Sequence, residues 1–190
     1  MLMSFNETDE EIIILYKNGN QEAFRNLINR YTLPLYNFVA RIINQNDAPD
    51  IIQETFIKVW KNIDRFDAEK ASFKTWIFTI TKNTAMDFLR KKKILLFKDM
   101  ENNNREKEGS FEENILDEDT LPDEALEKLQ DREFLNAALK KLSPNENEIL
   151  VLYYQEEMTF NQISKILNKS LNTVKSQRHR ALIKLRKILN

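Results

Sequence analysis

Cysteine is absent from this 190-residue chain, and histidine occurs once, at His179. The first absence removes any disulfide framework or thiolate metal site and suits a reducing compartment. The second leaves no histidine cluster from which a metal or acid–base centre could be built. Only two glycines, Gly19 and Gly109, and four prolines interrupt the chain, so no glycine-rich phosphate cradle forms and long runs of helix formers stay unbroken. The N-terminus MLMSFNETDEE lacks a basic-then-apolar leader, and no apolar run approaches the roughly 20 residues that cross a bilayer. With 42% hydrophobic and 31% charged residues, the expectation is an all-α protein of two small domains, without membrane insertion, metal or cofactor.

The formal net charge of −1 conceals a segregation. Residues 1–93 carry 14 Lys+Arg against 12 Asp+Glu, residues 94–131 carry 4 against 13, and residues 132–190 carry 11 against 5. An acidic middle of net charge −9 therefore separates two neutral-to-basic ends. That middle is polar, weakly periodic and poor in core residues, which reads as a flexible linker.

About four helices precede the linker. The first runs from about Thr8 to Lys17 and stops near Gly19. Ala23, Phe24, Leu27, Ile28 and Tyr31 set the inner side of the second; Pro34 marks a break or a first-turn position before Leu35, Phe38, Val39 and Ile42 continue the spacing. A helix over roughly Asp47–Ile63 turns Ile52, Phe56, Val59, Trp60 and Ile63 inward and lines up Asp50, Glu54, Ile57 and Lys61 outside. An apolar residue among charges, with two carboxylates one turn apart and no basic residue between them in that row, suits a docking surface, and a solvated helix face explains it nearly as well. In the helix of about Ser72–Lys93, Lys74, Phe78 and Lys82 share a side, with Trp76 and Asn83 at its edge. Cations interleaved with aromatics suit single-stranded nucleic acid; packing of Trp76 and Phe78 on a neighbouring helix is the alternative. Arg90–Lys93 adds four successive cations at the helix end.

The stretch TFNQISKILNKSLNTVKSQRHRALIKLR, from Thr159 to Arg186, carries helix-end chemistry at both sides of a tight turn. Thr159 and Gln162 form a capping pair. Asn168 suits a left-handed C-cap, and Ser170 an N-cap for the next helix. On that second helix Val174, Ala181, Leu185 and Ile188 fall on one side, and Lys175, Ser176, His179, Arg180 and Lys187 on the other. Such a cationic helix fits a DNA major groove, or is an ordinary solvated amphipathic helix. Arg178 falls on the apolar side, so it snorkels or shifts the helical phase.

Taken in order, NGNQEAFRNLINRY, DAPDIIQETFIKVWKNI and SFKTWIFTITKNTAMDFLRKKK, then LSPNENEILVLYYQEEMTFNQISKILNKSLNTVKSQRHRALIKLR, resemble the extracytoplasmic-function sigma factors of bacterial RNA polymerase. The resemblance covers about residues 9–93 and 121–189. It implies a region-2-like domain over 1–93, a linker over 94–131 and a region-4-like helix-turn-helix domain over 132–190. It also implies a non-catalytic initiation factor that acts in the cytoplasm. Its partners would be promoter DNA, an anti-sigma factor, and core polymerase through the largest-subunit clamp helices and the flap region.

The resemblance places residues in roles. Asp50, Gln53, Glu54, Phe56 and Ile57 fall in the polymerase-docking segment. Lys74, Thr75, Trp76, Phe78, Lys82 and Asn83, with the preceding loop from about Phe66 to Ser72, fall where a flipped base of the minus-ten element and the opened strand are held. Thr173, Lys175, Ser176, Gln177, His179 and Arg180 fall on the helix that enters the minus-thirty-five groove. Three positions depart from the family pattern. Gln177 stands where Arg is common, which shifts base preference toward adenine; Arg178 stands where an apolar residue is usual; and Pro49 is tolerable only at a helix start. The acids among Glu112–Asp119 are expected to occupy a basic polymerase channel. Two other functions compete: a conventional DNA-binding regulator, and a small nucleic-acid enzyme using Asp50 and Glu54 with a metal.

Overall fold

A computed structural model describes residues 7–102, 137–139 and 141–189, and all regular structure among them is helical. The first half holds α1 (Asp9–Lys17), α2 (Gln21–Val39), α3 (Ala48–Asn62) and α4 (Phe73–Asn102). Thr8 Oγ1 accepts the Glu11 N–H at 3.2 Å and Glu11 accepts the Thr8 N–H at 2.7 Å, so α1 starts on a reciprocal cap. It ends at Gly19, whose φ of +96° is open only to a residue without Cβ strain. Asp9 then ties α1 to α2 by accepting from Arg30 and from the Tyr31 hydroxyl. Burial, then that bond and the Asp9 charge, push the Tyr31 phenol far above its ordinary range.

Two expectations change here. Helix α2 runs unbroken through Pro34. A mid-helix proline costs about 3 kcal/mol, but Leu35, Phe38 and Val39 beyond it are fully buried, and burying each returns roughly 1.5–3 kcal/mol. The wall of apolar side chains outweighs the lost backbone bond. In α3, Trp60 is not inward but 54% exposed. The buried stripe includes Ile51 and Thr55 as well as Ile52, Phe56 and Val59. Its centre is thereby turned away from Trp60, which lies about 100° off that centre. Pro49 sits in the first turn of α3, as its missing N–H requires.

Helix α4 is the spine. Phe73 packs edge-on against Tyr31 and Phe66, each at 5.5 Å, and Phe38 meets Phe78 at 5.4 Å. The helix continues nine residues past Lys93, into the segment read as linker, and ends at Asn102. The acids Glu112–Asp119 lie outside the described residues.

The second half holds α5 (Pro144–Leu150), a π-helical turn over Val151–Gln155, α6 (Phe160–Leu167) and α7 (Leu171–Leu189). Ser143 and Glu146 form another reciprocal cap, at 3.4 and 2.7 Å. Val174 and Ala181 are fully buried while Leu185 and Ile188 are half-buried, the apolar side expected of α7. The two halves pack on each other in this structure. Helix α4 packs along α6, and Phe78 belongs to the same continuous buried cluster as Ile149, Leu152, Met158, Ile163 and Val174.

Candidate nucleic-acid and polymerase interfaces

The helix-turn-helix forms on the local bonds that its sequence encodes. The Thr159 N–H donates to Gln162 Oε1 at 2.8 Å and the Gln162 N–H returns to Thr159 Oγ1 at 3.3 Å. Asn168 adopts φ 50°, ψ 48° at the end of α6, a conformation Asn tolerates. Two residues on, Ser170 Oγ accepts the Thr173 N–H at 3.1 Å and opens α7.

This turn presents α7 with Lys175, Ser176, His179 and Arg180 exposed. Thr173 and Gln177 are half-buried. The Thr173 hydroxyl shares a hydrogen bond with that of Ser170 at 2.8 Å, and Lys169 Nζ donates to Gln177 Oε1 at 3.1 Å. The Gln177 amide therefore has its carbonyl engaged and its NH₂ available as a donor. Arg178 neither snorkels freely nor shifts the phase. Its guanidinium lies over the rings of Tyr153, Tyr154 and Phe160, at 4.3, 5.2 and 5.8 Å, and it donates to the Tyr154 hydroxyl. An aromatic cage replaces the apolar contact expected at that position.

Of the α4 residues, Asn83 is exposed and Lys74, Trp76 and Lys82 are half-buried. Trp76 packs on Phe66 at 5.3 Å and on Phe73 at 5.7 Å. Two members of the set are buried. Phe78 is 0% exposed and Thr75 3%. Phe78 is a core ring and offers no face to a base in this conformation, while the Thr75 hydroxyl is spent on Ser72 Oγ at 3.0 Å. Lys74 and Lys82 turn toward the second half. Lys74 Nζ lies 3.0 Å from Glu156 Oε2 and donates to the Glu156 carbonyl at 2.7 Å; Lys82 donates to Glu148. Nothing local in the sequence pairs Lys82 with an acid 66 residues away, so neither Glu148 nor Glu156 was legible there.

On α3, Asp50, Gln53, Glu54 and Ile57 are exposed, and Phe56 is not. At 9% exposure Phe56 anchors the helix from beneath. Ile57, 51% exposed, is joined by Trp60. The helix thus shows an apolar pair flanked by carboxylates, a more specific surface than the carboxylates alone. Among the described residues no three His, Cys, Asp or Glu side chains converge as a metal site. No helix among them is long and apolar enough to cross a membrane.

Comparison with known proteins gives this arrangement its class. Residues 27–94 match the Sigma-70 region 2 family and residues 138–187 the Sigma-70 region 4 family. The protein is a promoter-specific transcription initiation factor of the sigma-70 type, which catalyses no bond change itself. The chain is 33% identical over 174 residues to the ECF RNA polymerase sigma factor SigW of Bacillus subtilis, covering 91% of this chain and 92% of that one. It is 28% identical over 183 residues to the ECF RNA polymerase sigma-E factor of Escherichia coli K12, covering 94% and 93%. It belongs to the ECF sigma factors. In fold it is similar to the sigma factor RpoE, solved in complex with the anti-sigma factor NepR from Bartonella quintana, with a TM-score of 0.66, 22% identity and coverage of 87% and 96%. It is likewise similar to CnrH in complex with the cytosolic domain of CnrY, with a TM-score of 0.63, 24% identity and coverage of 96% and 97%.

Proposed function

We propose that the chain delivers two DNA-reading helices to a promoter by docking on core RNA polymerase through α3. The docking surface is Asp50, Gln53, Glu54 and Ile57, extended by Trp60, and its partner is the clamp helices of the largest subunit. The flap region receives the second unit. Lys74, Trp76, Lys82 and Asn83 engage the minus-ten strand, and Thr173, Lys175, Ser176, Gln177, His179 and Arg180 the minus-thirty-five groove. Units over 1–93 and 132–190, joined through 94–131, carry these roles in the cytoplasm, and an anti-sigma factor restrains them.

The observation that carries this reading is the exposed row Lys175, Ser176, His179 and Arg180 on the second helix of a properly capped helix-turn-helix. Helix α7 enters a groove by the rule for this motif. The NH₂ donor of Gln177 reads an acceptor on a base edge. Run-off transcription with purified core polymerase on a promoter library tests the whole: addition of this protein selects a subset of promoters, and no selection above core alone rejects it.

A further inference from the structure

Lys169 lies in the turn between α6 and α7, after the left-handed Asn168 and before the cap Ser170. Its N–H donates to the Ser164 carbonyl at 3.0 Å, which fixes the backbone from which the side chain leaves. That side chain is half-buried, and its ammonium stands between two amide oxygens. Gln177 Oε1 on α7 is 3.1 Å away, and Asn145 Oδ1 in the first turn of α5 is 3.4 Å away. An ammonium has three donors and no acceptor, so each amide must turn its oxygen toward it. The orientation of the Gln177 amide is therefore set by a residue outside the helix that carries it.

We propose that Lys169 is a positioning residue for promoter choice: it turns Gln177 from a reader of adenine into a reader of guanine at one position of the minus-thirty-five element. This rests on the placement of Gln177 in that groove made above. An untethered glutamine pairs with adenine through both ends of its amide, the oxygen accepting from the N6 amino group while the NH₂ donates to N7. That pairing needs the oxygen that faces Lys169. The oxygen keeps a second lone pair, but an amino group brought to it would stand donor against donor beside an ammonium. Both Lys169 and Gln177 are half-buried, so water screens this opposition only in part. Guanine shows two acceptors on the same edge, N7 and O6, and no donor. The Gln177 NH₂ donates to one of them, and the cation behind the carbonyl polarises the amide toward stronger donation. Thymine offers a single acceptor and cytosine an amino donor, which ranks both below guanine. The couple thereby presents donors alone, the hydrogen-bonding character of a guanidinium assembled from two side chains.

Run-off transcription with core polymerase, on a promoter library randomised across the minus-thirty-five element and tagged within each transcript, reads the preference. Gln177→Ala locates the base in question, as the position whose preference flattens. There the unmutated protein is expected to favour guanine over adenine about tenfold, the discrimination of a good base contact. Lys169→Met is expected to move that same position to adenine, and Lys169→Arg, which still donates to the amide oxygen, to keep guanine. Ratios within one library cancel any uniform loss, so a lost phosphate contact or a weakened fold does not imitate the shift. Failure of Lys169→Met to gain adenine there, absence of any transcript from it, or a base other than guanine favoured by the unmutated protein overturns the role of Lys169. Unchanged preference at every position in Gln177→Ala would instead refute the placement of Gln177 against a base edge, which separates the two failures.

Discussion

The Arg178 guanidinium carbon stands 4.3 Å from the centre of the Tyr153 ring, and this stacking makes a cation part of the second half's packing. Arg178→Ala is expected to destabilise the protein by about 1–2 kcal/mol, the range of a partly desolvated cation–π contact. Chemical denaturation checks it. Lys175→Ala and Arg180→Ala, on the exposed side of the same helix, should leave the midpoint unchanged and lower run-off transcription instead.

Phe78 offers a second contrast. As a fully buried ring against Phe38, it should cost about 3–5 kcal/mol when replaced by Ala. Phe78→Leu, which keeps most of the volume, should retain a cooperative thermal transition. A Phe78→Ala variant of unaltered melting temperature would contradict the core assignment.

Ile57→Asp and Trp60→Ala each remove apolar surface from an exposed face of α3. Both are expected to weaken core polymerase binding by about tenfold or more, as central apolar anchors do. The thermal midpoint should hold. Labelled protein titrated with core enzyme gives the measurement.

Acid should loosen the second half through Glu146. Its carboxyl is held below the ordinary range, first by the Ser143 N–H and then by the Ser143 hydroxyl and Lys184. A carboxylate whose folded pKa is depressed contributes stability that is complete above its unfolded value, about 4.3, and drains away as pH falls through the folded one. Glu146→Gln should therefore flatten the pH dependence of stability below about pH 5. Melting curves recorded across that window test the sign.

Asn168 is in the left-handed region at the turn between α6 and α7. Asn168→Val is expected to cost about 1–2 kcal/mol, and Asn168→Gly close to nothing. Thr159→Ala, which removes one side of the cap, should cost about 1 kcal/mol. Equilibrium unfolding compares the three.

Much of this was legible because it is local. Thr159 with Gln162, Asn168 and Ser170 encode the turn within a dozen residues, and the one-sided apolar spacing of α7 follows from its own period. Trp60 was misplaced since the spacing of α3 fits two stripes a residue apart, and only the neighbouring helices choose between them. Pro34 reads as a break or a first-turn position because the cost of its missing N–H is local while the burial that offsets it is not. Phe78 and Lys82 were placed on one side correctly, but what covers that side comes from residues far along the chain. Arg178 could not be resolved for the same reason, as its cage is drawn from two separate elements.

The chain holds two tryptophans, and they differ in surroundings: Trp60 faces water and Trp76 is tucked among Phe66 and Phe73. Nature has thereby fitted the molecule with an optical gauge. A Trp76→Phe version would emit from the solvent-facing indole alone, and a blue shift of that emission on mixing with the larger enzyme would time its arrival without any attached dye.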